Sequence, residues 1–222
     1  RLNGVDFSVT ADGGVSDGAI KIIKEKIQDF ADLPYRGSDG MKVNVVGSNT
    51  NSFDDFWVAY ESFGNTESGV WNETNGHNLQ TTLNDTLLPH GLVINAAGTA
   101  LTFQRLPWAQ RLVGDDSSAP LPSFVGRTIA DVFFFRNRLG LLADENVLLT
   151  EAGEFFNFFP TTVTTLLATS PIDVAAAGPK IAILKHAIPH QGKLLFNSDT
   201  TQLSLFAQDD VITPETVQIK IL

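Results

Sequence analysis

The sequence contains no cysteine. Disulfides, thiolate nucleophiles and cysteine-ligated zinc are therefore excluded. Charge is sparse and negative on balance. Only 18% of residues are charged, and 15 Lys and Arg stand against 25 Asp and Glu, a net charge of −10 with a pI near 4.7. A protein that grips duplex DNA neutralises phosphates with a basic face, and this balance disfavours that mode. It is compatible with a wall past which DNA slides without sticking. No apolar run reaches membrane-spanning length. The opening "RLNGVDFSVT" has neither an initiator Met nor the apolar core of a secretory signal. With the strand-like "VQIKIL" at the other end, both termini read as cuts inside a longer polypeptide. Tyr and Trp are few, at 2 and 3, whereas Phe numbers 16. Phe has no polar handle, so most of these rings are expected in cores and not along a sugar or base site.

What is present reads as a globular chain of 222 residues with 43% hydrophobic content. "VDFSVT" (5–10) alternates as a short strand, and "ADGG" turns it. A helix is expected over 17–31. Ile20, Ile23, Ile27 and Phe30 form an apolar stripe, Ser16 stands at the N-cap position, and Pro34 ends the run. Short strands follow at 41–47, 55–63, 69–74, 91–98 and 100–106, with a hairpin turn at "NAAGTA". Residues 1–117 thus read as a small α+β domain, one helix on an antiparallel sheet. The polar, Pro-rich "GDDSSAPLPS" (114–123) reads as a linker. Residues 118–222 read as nearly all β. "IADVFFF", "LGLLAD" and "NVLLTEA" form one set of strands, and "IDVAA", "KIAILKHAIPHQ", "GKLLFNS" and "TQLSLFA" a second. Their spacing suggests propeller blades or a meander. The fold class expected is α+β, predominantly β, with a propeller-blade-like second part.

Motifs that carry chemistry are weak throughout. "GVSDG" (14–18) matches the G-x-S-x-G nucleophile elbow, but a Ser N-cap explains it without a parallel sheet or a triad histidine. His186 and His190 have ligand spacing, yet Pro189 lies between them and no carboxylate completes a metal site. His77 and His90 stand alone. Asp54-Asp55, Asp115-Asp116 and Asp209-Asp210 fit solvated turns better than the paired carboxylates of a glycosidase. Neither a P-loop, a G-x-G-x-x-G fingerprint nor an EF-hand loop occurs, so no cofactor is expected. Trp57, Trp71 and Trp108 sit on separate strands, where core anchoring is the simpler reading.

The most unusual stretch is 131–160, "DVFFFRNRLGLLADENVLLTEAGEFFNFFP". Strand alternation puts Phe133 and Phe135 on one face and Val132, Phe134 and Arg136 on the other. A strand apolar on both faces is central or covered by a second layer. Aromatics beside arginines also occur on RNA-binding sheets, but Asp131, Asp144, Glu145, Glu151 and Glu154 surround these arginines. Phe133, Phe134, Phe135, Phe156 and Phe158 are therefore expected as core. Arg136 and Arg138 are expected at its edge, paired with carboxylates or bonded to carbonyls.

The same stretch carries a family resemblance. The ordered words Pro122-Ser123-Phe124-Val125-Gly126, Asp131 through Gly140, Glu145-Asn146-Val147, Phe156-Asn157-Phe158 with Pro160, Pro171-Ile172-Asp173-Val174-Ala175 and Ile183-Leu184-Lys185 closely resemble the tail tubular protein B (nozzle) family of short-tailed bacteriophages. The likeness covers 120–206 well, and 1–118 more loosely through "HGLV" and the aromatic strands. It implies a virion component made in the bacterial cytoplasm, a non-enzymatic part of the lower tail tube. It further implies a hexameric ring of copies, contacts with tail tubular protein A and tail fibres, and phage DNA passing through the lumen without specific binding. No small-molecule substrate is implied. The alternative, from the carboxylate pairs and tryptophans, is a capsule-binding or depolymerising tail module.

Overall fold

A computed structural model describes residue 23 and residues 25–47, 55–64, 68–176, 181–207 and 211–222. Among them the only helical turn is a 3-10 turn at Phe30–Asp32, and the architecture is otherwise β. The expected helix over 17–31 is overturned where it is described. Lys26–Ile27 forms a short strand, β1, parallel to β2 (Lys42–Val45). Backbone bonds from Asn44 N to Glu25 O and from Val46 N to Ile27 O, both 2.8 Å, hold it there. The reason lies in the spacing. Ile23 and Ile27 are four apart, which keeps them on one face of a helix and equally on one face of a strand. Burial beside Val43, Val45 and Val58 decides for the sheet over intrinsic propensity. Asp29 accepts from Ala31 N at 2.9 Å and caps the 3-10 turn. The strand at 5–10, the Ser16 cap and the G-x-S-x-G match lie outside the described residues.

The first sheet continues antiparallel through β3 (Phe56–Ser62) and β4 (Gly69–Thr74), in the order β1-β2-β3-β4. A separate two-stranded ribbon follows, β5 (His90–Ile94) with β6 (Leu101–Arg105). Its turn is built by Asn95, whose Oδ1 accepts from Thr99 N and Ala100 N. The stretch 114–123, expected as a linker, is packed: Gly114, Ala119 and Pro122 are buried. Ser123 donates through N and Oγ to Asp173 at 2.8 and 2.7 Å.

Two four-stranded antiparallel meanders complete the chain. The first runs β7 (Ile129–Phe135), β8 (Arg138–Ala143), β9 (Asn146–Leu149) and β10 (Ile172–Ala175). The second runs β11 (Leu184–His190), β12 (Lys193–Ser198), β13 (Gln202–Ala207) and β14 (Val217–Ile221). "IDVAA", grouped from sequence with the second set, belongs to the first. It pairs with β9 after the excursion of residues 150–171. Each meander opens on a hairpin closed by two residues at positive φ: Arg136 and Asn137 (51° and 58°), and Gln191 and Gly192 (45° and 77°). Positive φ at both central positions is what a type I′ turn requires, and its twist matches the strands it joins.

The core lies between the meanders. Phe133, Phe135, Leu142, Val147, Leu149 and Ile172 of the first meet Leu184, Leu194, Phe196, Leu203 and Leu205 of the second. Asp131 Oδ2 accepts from Ala187 N at 2.9 Å and ties β7 to β11. The opposite face of the first meander is covered too. Leu141, Ala143 and Leu148 pack with Leu88, Phe124 and Phe158. That is why β8, "RLGLLA", is buried along its whole length. The doubly covered strand is thus β8, whereas β7, expected to be central or covered by a second layer, is an edge strand that buries Phe133 and Phe135 and exposes Val132 and Phe134.

Candidate functional site

The Phe-rich stretch divides at single-residue resolution. Phe133 and Phe135 point inward, each 6% exposed. Opposite Phe133 stands Gly140, and the Phe133 ring fills the space a side chain there would occupy. Phe134 departs from the expected core placement. It is 62% exposed on the outer face of the edge strand beside exposed Val132, and touches Phe155 edge-on at 5.4 Å. Phe158 is buried, 5.1 Å from Phe124 and 5.8 Å from Trp108. Phe156 is half-buried, edge-on to Trp108 at 5.5 Å.

The two arginines divide in the same way. Arg136 lies exposed in the turn, where its Nη2 donates to Gly192 O at 3.3 Å and so links the first hairpins of both meanders. Arg138 is 2% exposed. Its Nη1 donates to the carbonyls of Thr150 (2.6 Å), Ser170 (2.8 Å) and Thr169 (3.2 Å), and its Nη2 to that of Ala168 (2.9 Å). One planar fork thereby clamps both ends of the 150–171 excursion. Burial pulls the Arg138 pKa downward and neighbouring Glu151 opposes this. Glu151 also accepts from Asn157, while other carboxylates near the arginines in sequence are engaged elsewhere: Asp144 with Arg127 at 3.1 Å and Glu145 with Ala182 N.

Two polar anchors have no local mark in the sequence. Arg111 is fully buried and donates through Nη1 to Asp116 (2.8 Å) and Ala119 O (2.9 Å). Glu73 of β4 accepts from Thr162 Oγ1 (2.6 Å) and Val163 N (2.7 Å), so it ties the first sheet to the excursion. Glu73→Gln keeps one acceptor but cannot receive both donors. It is expected to cost about 1–2 kcal/mol in urea unfolding. The Val163 amide should exchange faster with deuterium.

Nothing chemical assembles around the remaining candidates. His186 and His190 are exposed on β11, with His186 Nδ1 3.8 Å from Asp131. Among the described residues no three His, Asp or Glu side chains come together as a metal site. Asp116 serves Arg111, and Asp115 caps a turn. Asp54, Asp209 and Asp210 lie outside the described residues. The tryptophans do not share a platform: Trp57 donates to Asp115, Trp71 to Pro34 O, and Trp108 packs with Phe156 and Phe158. Burial favours a proton on Asp115. The amides of Ser117 and Ser118, the Trp57 indole and the Ser118 hydroxyl outweigh it and hold the carboxyl below its usual range. The unfolded state therefore binds the proton first, and stability conferred by Asp115 is present above pH about 4 and lost as pH falls through the folded value. Asp115→Asn should flatten the loss of stability as pH falls below about 4, followed by urea midpoints.

The family model for the bacteriophage nozzle protein matches residues 1–222. The chain belongs to the nozzle family. It is 38% identical over 214 residues to the tail tubular protein gp12 of Escherichia phage T7. The match takes in 96% of this chain and 26% of that relative, so the chain spans about a quarter of the relative's length. The nozzle-family likeness thus extends beyond the 120–206 wording that first suggested it, through the N-terminal half as well.

Proposed function

We propose that this chain is a structural, non-enzymatic segment of the nozzle of a short phage tail, forming part of the wall through which the genome leaves the virion. The observation that carries this reading is the nozzle-family match along the whole chain, with a tail tubular protein as relative. Grooves of about 250, 360 and 350 Å³ among the described residues are far too small to pass a duplex. The channel therefore forms between copies set around an axis, a hexameric ring in this reading, joined above to tail tubular protein A and flanked by tail fibres. The net charge of −10 suits a surface that DNA passes without being held. Residues 1–117 and 118–222 act as two parts, the second presenting its two meanders as propeller-like blades. Phe133, Phe135, Phe158 and Arg138 keep that part rigid. Phe134 and Arg136 stand at its surface, available to neighbours.

The full-length protein is expected to show no shift of duplex DNA at physiological salt. Tight binding that weakens steeply with salt would contradict a sliding wall. Phe134→Asp should leave the folded protein intact while reducing the yield of tailed, infectious particles. Unchanged infectivity would remove Phe134 from the assembly surface.

A further inference from the structure

The β5–β6 ribbon has one apolar face that no other element covers among the described residues. The register pairs Leu92 with Phe103 and Ile94 with Leu101, and alternation puts all four on one side. They are 59 to 70% exposed. His90 stacks on Phe103 at 5.1 Å and continues the same face. The other side carries Gly91, Val93, Thr102 and Gln104. Among the described residues the ribbon pairs with no third strand, and an isolated two-stranded hairpin is at best marginally stable in water. Four large side chains so exposed make a patch on the order of 400 Å², a size that on monomers is commonly functional.

We infer that this face docks on a second copy of the protein. The inference rests on the ring reading above and names the surface that builds it. Charge selects the partner. Residues 86–104 contain no Asp, Glu, Lys or Arg, and the ends of this stretch are neutralised by an Asp85–Arg105 pair at 3.2 Å. DNA or an anionic membrane would be met by basic side chains, and this face presents none. A face without charge meets another copy with no like-charge repulsion. Area agrees: a specific interface takes about 800 Å² per partner, of which this patch supplies roughly half, the apolar centre, leaving the turn and Thr102 side as rim.

The test replaces Phe103 with p-benzoylphenylalanine in the full-length protein. Copies labelled with ¹⁴N and ¹⁵N are mixed in equal parts before assembly, irradiated, and digested for mass spectrometry. Cross-linked peptides of mixed isotope are expected. Same-isotope products alone would mean that the face is covered within one polypeptide, and would overturn the inference while assembled rings remained. A protein that sediments as a monomer would sink the ring reading itself. Leu101→Asp with Phe103→Asp gives a second readout. The assembly should dissociate at least tenfold more readily with an unchanged urea midpoint, and unaltered assembly would overturn the inference.

Discussion

Arg138→Met is expected to lower the unfolding free energy by about 3–5 kcal/mol, because it strips the partner from a cluster of enclosed polar groups. Methionine matches the length of the arginine stem, so packing is nearly conserved and the loss reports hydrogen bonding. The carbonyls of Thr150, Ala168 and Ser170 lose the guanidinium donor, that of Thr169 keeps only the Ala152 amide, and Glu151 loses a compensating charge. Arg138→Lys restores the charge at a single point. It cannot span carbonyls from both ends of the excursion, and should recover about half. For a folded unit of this size the methionine variant should melt roughly 6–20 °C lower. A midpoint within experimental error of the parent would mean that the excursion is held without the guanidinium.

Neighbouring rings should respond oppositely. Phe133→Ala removes a side chain 6% exposed and is expected to cost about 3–5 kcal/mol. Phe134→Ala removes one 62% exposed and should stay within about 0.5 kcal/mol. Gly140 supplies a check on the cause. Its missing side chain is the space the Phe133 ring fills. In a double-mutant cycle, Gly140→Val should therefore destabilise the parent protein and partly restore the Phe133→Ala variant. Equal costs for the two phenylalanines would contradict the inward and outward assignment.

Much of the second half was legible because its strands are short, alternating and closed by turn residues. The first two hairpin arms of each meander fall where "FFFRNR" and "PHQGK" put them. Alternation already separated Phe133 and Phe135 from Phe134. It could not say which side was covered, because Val132 and Phe134 are apolar as well. The missing information was the order of strands: β7 lies at an edge, and the doubly buried strand is β8. The return of "IDVAA" to β9 across residues 150–171 was hidden for a related reason, since a clamp made by Arg138 to distant carbonyls leaves no local trace. The helix over 17–31 misled because spacing of four satisfies both periodicities, and only the neighbouring valines decide. Glu73 and Arg111 look like ordinary surface charges until their partners, far along the chain or in a turn, are known. The family wording, by contrast, was visible because it is long and ordered, although it says nothing about which surface meets which neighbour.

A density map of the intact tail puts the central proposal to the most direct test. This segment should repeat around the tail axis within the channel wall, with the Leu92, Ile94, Leu101 and Phe103 face of each copy covered by the next. A map that placed it as a radial appendage outside the wall, with no contact between copies, would contradict the channel-wall role.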